Sequence, residues 1–196
     1  MKKNITLVLL SGFIFLFSGM SLAAQETQSK NLEAIEFLSG FGWGKLTWNQ
    51  GNYNMVPLSV AFDFNLKNLT QKINFNPAQL LQLQIEPFLG YITSPKNNFE
   101  TGMIFWLKMG LLPETSKFQP YGKLGVGLDY MTLHTREQST QFNFTEQCSL
   151  GMHYYFTAHT AFTLEGRWRH LSNSGISEPN HGINSYPVNT GIAYKF

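Results

Sequence analysis

The chain has 196 residues, enough for one domain, and 14 Lys and Arg against 12 Asp and Glu, with no basic run, exclude a polyanion-binding surface and any nucleic-acid partner. Cys148 is the only cysteine, which excludes a disulfide framework. Aromatics reach 15% and glycine is frequent, so stability must come from another kind of packing.

Lys2 and Lys3, the apolar run Ile5 to Phe17 and the small-x-small triplet Ser21-Leu22-Ala23 read as a secretory signal peptide over residues 1–24. The run is shorter than the ~20 residues of a spanning helix. No cysteine follows it, so no lipid-anchored N-terminus is expected. Removing this segment takes away two lysines and leaves 12 basic against 12 acidic residues in 25–196.

After a polar lead, Gln25 to Asn31, eight alternating segments follow, separated by turn-like residues. The first, 36–48, sets Gly40, Gly42 and Gly44 against Phe41 and Trp43, and Asn49-Gln50-Gly51-Asn52 signals a turn. The second, 54–66, puts Val56, Leu58, Val60, Phe62, Phe64 and Leu66 on one face. The third, 80–93, opposes Leu83, Ile85, Leu89 and Tyr91 to Gln82, Gln84 and Glu86. The fourth, 99–112, opposes Met103, Phe105 and Leu107 to Glu100, Gly102 and Lys108. The fifth, 120–132, opposes Leu124, Val126, Leu128 and Tyr130 to Lys123, Gly125, Gly127 and Asp129. The sixth, 142–156, opposes Cys148, Leu150, Met152 and Tyr154 to Gln147, Ser149, Gly151 and His153. The seventh, 160–172, opposes Phe162, Leu164 and Trp168 to Glu165, Arg167 and Arg169. The eighth, 183–196, opposes Tyr186, Val188, Ile192 and Tyr194 to Asn189, Ala193 and Lys195. Period two is the mark of a strand.

Two folds fit: a soluble sandwich or lipocalin-like barrel with an apolar core, and a transmembrane barrel with an apolar rim. The Gly-rich polar faces suit a crowded eight-strand interior. The segments match or exceed the ~9–11 residues of a tilted spanning strand. The ending Tyr194-Lys195-Phe196 resembles the C-terminal signature of bacterial outer-membrane proteins. The expected fold is therefore all-β, an eight-stranded antiparallel transmembrane β-barrel of the bacterial outer membrane, over residues 25–196. Inward Asp63, Glu86, Glu100, Asp129 and Glu165 should pair with Lys108, Lys123, Arg167 and Arg169, because an unpaired buried charge is costly. The loops 132–141 and 173–182 are expected outside. The 67–79 connection, broken by Asn76-Pro77, is long for a periplasmic turn. Trp43, Trp106, Trp168, Tyr91, Tyr130 and Tyr186 mix belt and lumen positions, with aromatic belts as the default.

The seventh strand carries its outward parity past Trp168 to His170 and Ser172, and the eighth begins its outward face at Asn184. Polar side chains that face lipid call for a partner or a purpose. A serine hydroxyl needs an imidazole to take its proton, and the imidazole needs a third group to fix its tautomer. His170 is the expected base, Ser172 the nucleophile and Asn184 the third member. Asn173 and backbone N–H groups near Gly175 are the expected oxyanion donors. His-x-Ser alone is an ordinary interfacial cluster. His134, His159 and His181 are dispersed without metal-site spacing, so neither a metal nor another cofactor is expected. His153 reads as a lumenal packing residue and Cys148 as inert.

The longer string His170-Leu171-Ser172-Asn173-Ser174-Gly175-Ile176, with Pro179-Asn180, Gly182 and Ile183, resembles the C-terminal signature of the PagL-type lipid A 3-O-deacylases. Phe118-Gln119-Pro120-Tyr121, Gly125-Val126-Gly127, and Asn143-Phe144 with Gly151 fit more loosely. The resemblance implies an outer-membrane esterase that removes the 3-linked acyl chain of lipid A, with lipopolysaccharide and outer-membrane lipids as its partners. A homodimer stays open. It carries the base role to His170 and the nucleophile role to Ser172, with Asn173 and Gly175 in the oxyanion region. The family pattern has Glu where this chain has Asn184. Three outcomes follow from that amide: Asn184 suffices, Glu178 substitutes, or the protein is a non-catalytic barrel with a degenerate motif. A phospholipase or acyltransferase on the same scaffold is a further alternative.

Overall fold

A computed structural model describes residues 31–47 and 50–196. The expected signal peptide, most of the polar lead, and Trp48 and Asn49 lie outside the described residues. Eight strands, β1 (Leu32–Lys45), β2 (Asn52–Asn65), β3 (Gln79–Ser94), β4 (Asn98–Pro113), β5 (Phe118–Met131), β6 (Phe142–Tyr155), β7 (Thr160–Ser172) and β8 (Ile183–Lys195), form one closed barrel in sequence order. Closure pairs β1 with β8 antiparallel, from Ala34 opposite Lys195 to Gly44 opposite Ser185. No edge is left open, so every strand satisfies its backbone polar groups on both sides, which a lipid environment demands.

The alternation sorts side chains as expected. Leu58, Leu89, Phe105, Leu124, Leu150 and Ile192 point outward and are exposed, while their neighbours in sequence face a filled lumen. Among the described residues, six inward carboxylates pair with Lys108, Lys123, Arg167 and Arg169. Lys108 meets Glu36 and lies 3.3 Å from Asp63. Lys123 reaches Glu165 at 2.7 Å, and Arg167 reaches Glu86 at 2.9 Å as well as Glu165. Arg169 joins Glu100 at 2.9 Å to Asp129 at 2.6 Å. Neutral donors complete the network. Gln84 donates to Glu36 at 3.0 Å and to Asp63 at 2.8 Å, Tyr121 donates to Glu165 at 3.0 Å, and Tyr53 donates to Glu100. A buried pair stabilises only when its remaining lone pairs and protons are also bonded, and these neutral groups do most of that.

Two expectations need correction. Trp106 is not in a belt. It faces the lumen, fully buried, and its indole N–H donates to Glu86 at 2.8 Å. Gly125 makes room for it, since a Cβ there would lie 2.6 Å from the indole Cδ2. The first strand begins at Leu32 rather than Glu36, and Glu36, which is not among the expected inward charges, joins the inner network. The 67–79 connection is helical at its start. A four-residue helix, α1 (Lys67–Thr70), runs into a 3₁₀ turn (Gln71–Ile73) that stops at Asn74 in the left-handed region. Lys67 tethers it to Glu114 at 2.5 Å.

At the opposite end of the barrel, an apolar plug of Leu46, Tyr53, Met55, Ile92, Met131, Leu133, Leu171 and Ile183 closes the lumen beneath the loops. Leu171 and Ile183 belong to it and are the inward neighbours of His170, Ser172 and Asn184. The plug therefore anchors the strand ends that carry those outward side chains.

Candidate active site

The pairing of β7 with β8 sets His170 directly opposite Asn184, and both side chains lie on the outward face. His170 Nδ1 lies 2.8 Å from Asn184 Oδ1. An amide oxygen only accepts, so Nδ1 carries the proton and Nε2 keeps its lone pair. Trp168, one step down the same face, stacks on the imidazole with centroids 6.1 Å apart and planes 16° from parallel. Gly182 meets the ring from the loop side. Its φ is +74°, and a Cβ there would stand 2.8 Å from Nε2. A side chain at that position would be strained and would also strike the ring.

Ser172 is two residues along the same face, half-buried, and opposite Phe144 of β6. Same-face neighbours have Cα atoms roughly 6.5–7 Å apart. Among the described residues Ser172 Oγ has no hydrogen bond. Hydrogen bonds between catalytic groups are commonly long or unmade before substrate binds. Glu178 does not approach the imidazole. Its carboxylate accepts from the Asn180 N–H at 3.0 Å within its own loop.

Asn173 and Gly175 are drawn together, in the loop rather than against the ring. Asn173 is fully buried. Its N–H donates to Asn180 Oδ1 at 2.9 Å, and its side-chain amide donates to the Ser177 carbonyl at 2.8 Å and to Ser139 Oγ at 3.1 Å. The Gly175 N–H donates to Asn173 Oδ1 at 3.0 Å. Between them Ser174 holds a left-handed φ of 54°, and its N–H makes no hydrogen bond among the described residues.

Several residues that hold the site were not singled out in the sequence. Ser139 N–H donates to the Pro179 carbonyl at 2.9 Å, and His181 N–H donates to the Glu137 carbonyl at 2.8 Å. Gln138 Nε2 donates to the Leu171 carbonyl at 3.3 Å. The 132–141 loop thus clamps the 173–182 loop along its length. On β6, Glu146 sits opposite His170 on the outward face. Parity carries the signal for it: Glu146 is two residues before the outward Cys148.

Chemically, the arrangement offers an imidazole of fixed tautomer and a hydroxyl on the same lipid-facing edge, beside the loop that carries Gly175 and Gly182. Architecture and site together define a small outer-membrane barrel with an imidazole, an amide and a hydroxyl on its outer surface. The chain belongs to the lipid A 3-O-deacylase (PagL) family, whose model matches residues 38–193. Among solved structures it is similar to the outer membrane enzyme PagL, at 14% identity and a TM-score of 0.59, covering 81% of this chain and 97% of that one. It is also similar to Neisserial surface protein A, at 9% identity and a TM-score of 0.60, covering 84% of this chain and 97% of that one. At these identities the likenesses show the fold alone. Comparison with curated proteins finds no match.

Proposed function

We propose that the protein is a lipid A 3-O-deacylase that works in the outer leaflet by a serine mechanism. The observation that carries this reading is the His170–Asn184 hydrogen bond at 2.8 Å, with Ser172 on the same lipid-facing edge. Family membership supplies the substrate class. A soluble hydrolase would bury such a pair in a cleft. An enzyme for an acyl chain already in the membrane can carry it on the barrel wall.

In the reaction His170 Nε2 takes the Ser172 hydroxyl proton as Oγ attacks the carbonyl carbon of the 3-linked ester. The tetrahedral oxyanion collapses, the bond to the sugar oxygen breaks, and Nε2–H returns its proton to that oxygen. Water, activated by the same nitrogen, then cleaves the acyl-serine and releases the fatty acid. Asn184 holds the tautomer throughout. The oxyanion role of Asn173 and Gly175 requires their N–H groups to leave Asn180 Oδ1 and Asn173 Oδ1 as substrate binds. The Ser174 N–H has no bond to break and is the donor ready to serve.

A non-catalytic barrel is the rival reading, and the amide at position 184 favours it. The test is a mass spectrum of lipid A from cells expressing the wild type or Ser172→Ala. Loss of one 3-linked hydroxyacyl chain with the wild type alone supports the esterase. Identical spectra leave the rival. Loss of acyl chains from phospholipid in the same cells would point to a phospholipase.

A further inference from the structure

Register places three polar side chains in one row across three strands of the outward face: Glu146 on β6, His170 on β7 and Asn184 on β8. Only the His170–Asn184 contact is a hydrogen bond. The inward carboxylates of the strands each have a cation or a donor, but the Glu146 carboxylate has no partner among the described residues. It is exposed on the wall, opposite Val126 on β5 and flanked along its own strand by Phe144 and Cys148. A carboxylate set among such side chains at a lipid-facing surface is expensive and marks function by default. The one polar side chain opposite it is His170.

Asn184 fixes the ring but is neutral, so it cannot offset the charge that His170 gains when it takes a proton. We propose that Glu146 supplies this missing negative charge from the β6 side, so that the acid function of this site is divided between two strands. The assignment rests on the reading of His170 as the general base. Nδ1 points to Asn184, and Nε2 lies beside Gly182. Both nitrogens therefore face β8 and its loop, and Glu146 acts through its field rather than through a ring N–H. It is a positioning and charge-balancing residue and does not touch substrate. Directly opposed residues have Cβ atoms about 4.5–5.5 Å apart. A unit charge about 6 Å from the imidazolium, at an effective dielectric of about 20, is worth up to a factor of about 100 in rate. In the 173–182 loop the Glu178 carboxylate is engaged with the Asn180 N–H and makes no ion pair with the ring. β8 presents the neutral Asn184.

The experiment uses the full chain in detergent micelles, with purified lipid A as substrate. Heat-dependent gel migration confirms that each variant is a folded barrel. Glu146→Gln should lower kcat between about 10- and 100-fold and leave KM within about twofold. Glu146→Asp should retain most of the activity. Adding Asn184→Glu to Glu146→Gln should recover at least about tenfold, because it returns the charge from the other flank. Wild-type kcat in folded Glu146→Gln overturns the proposal. So does a loss that neither Glu146→Asp nor the added Asn184→Glu relieves, which marks a purely structural role. A folded wild type inert toward lipid A overturns the base role of His170, and the Glu146 assignment falls with it. An active wild type with an indifferent Glu146 overturns the assignment alone.

Discussion

Arg169 and His170 are adjacent in the chain and face opposite sides of the same wall. Arg169 is buried in the lumen and bonds to Glu100 at 2.9 and 3.1 Å and to Asp129 at 2.6 Å. His170 is half-buried on the lipid side, its ring makes one hydrogen bond, and the Ser172 hydroxyl on the same face does not touch it. The inner face spends its polar groups on one another and becomes rigid. The outer face keeps its polar groups under-satisfied, and the unused capacity is what chemistry requires. The same alternation of side chains separates structure from reactivity by one residue.

The sharpest way to break this contrast is to remove one group from each face. Ser172→Ala deletes a hydroxyl that holds nothing in place. Lipid A hydrolysis should fall by at least about 10⁴-fold. Unfolding free energy in urea should move by no more than about 0.5 kcal/mol. Arg169→Met should do the opposite. It leaves the carboxylates of Glu100 and Asp129 facing each other without a cation and should destabilise the barrel by about 3–5 kcal/mol. Activity per folded molecule should change little. If Ser172→Ala unfolds the barrel, or Arg169→Met leaves its stability unchanged, the two faces are not divided in this way.

Gly182→Ala sharpens the comparison at the boundary. The position has φ +74°, and the new methyl would press on the His170 ring. Strain of about 1–3 kcal/mol is expected at such a position. Displacing the ring should cost about 10- to 100-fold in kcat, because misplacement by about 1 Å costs that much. Kinetics alongside urea titrations would separate the two effects. A variant that loses stability without losing rate would show that Gly182 serves the turn alone.

Much of the fold was legible because period two survives almost unbroken through the strands. β7 spans Thr160–Ser172, the bounds that alternation predicts, and the inward charges pair from the set the sequence identifies. What failed did so for particular reasons. Trp106 shares its parity with Glu100, Gly102 and Lys108, and a general preference for belts overrode that local signal. The extension of β1 back to Leu32 depends on pairing with the other end of the chain, Ala34 with Lys195, which no local pattern contains. α1 was invisible because a four-residue helix is too short to show a period. At the site, the contact of His170 with Asn184 was readable because two adjacent strands and one loop suffice to bring them together, and Ser172 was readable only as the next residue on the same face. Glu146 comes from the other neighbour, and its place opposite His170 needs the β6–β7 register. Asn173 and Gly175 were readable as loop residues, but not the hydrogen bonds that occupy their N–H groups.

The smallest effect concerns the loops that join the two faces. The Glu137 side chain is buried at the long-loop end and accepts from the Thr47 N–H at 2.5 Å, from Thr47 Oγ1 at 2.7 Å and from Gln50 Nε2 at 2.7 Å. Its carbonyl receives the His181 N–H at 2.8 Å. One residue thus ties the loop after β1 to the loop that carries Gly182. Glu137→Gln keeps the shape and removes the charge. Charge-assisted hydrogen bonds are each worth about 1.5–3 kcal/mol, and the amide retains part of that. A loss of about 1.4 kcal/mol should speed exchange of the Thr47 amide about tenfold, while the amides of the strand interiors are unaffected. The rate of hydrolysis should fall less than about fivefold, since the backbone bond to His181 remains. Faster exchange confined to Thr47 and its hairpin would place Glu137 with the structural groups of the lumen. Faster exchange that spreads to the 173–182 loop, with a larger fall in rate, would instead mean that the clamp itself sets the geometry of the site.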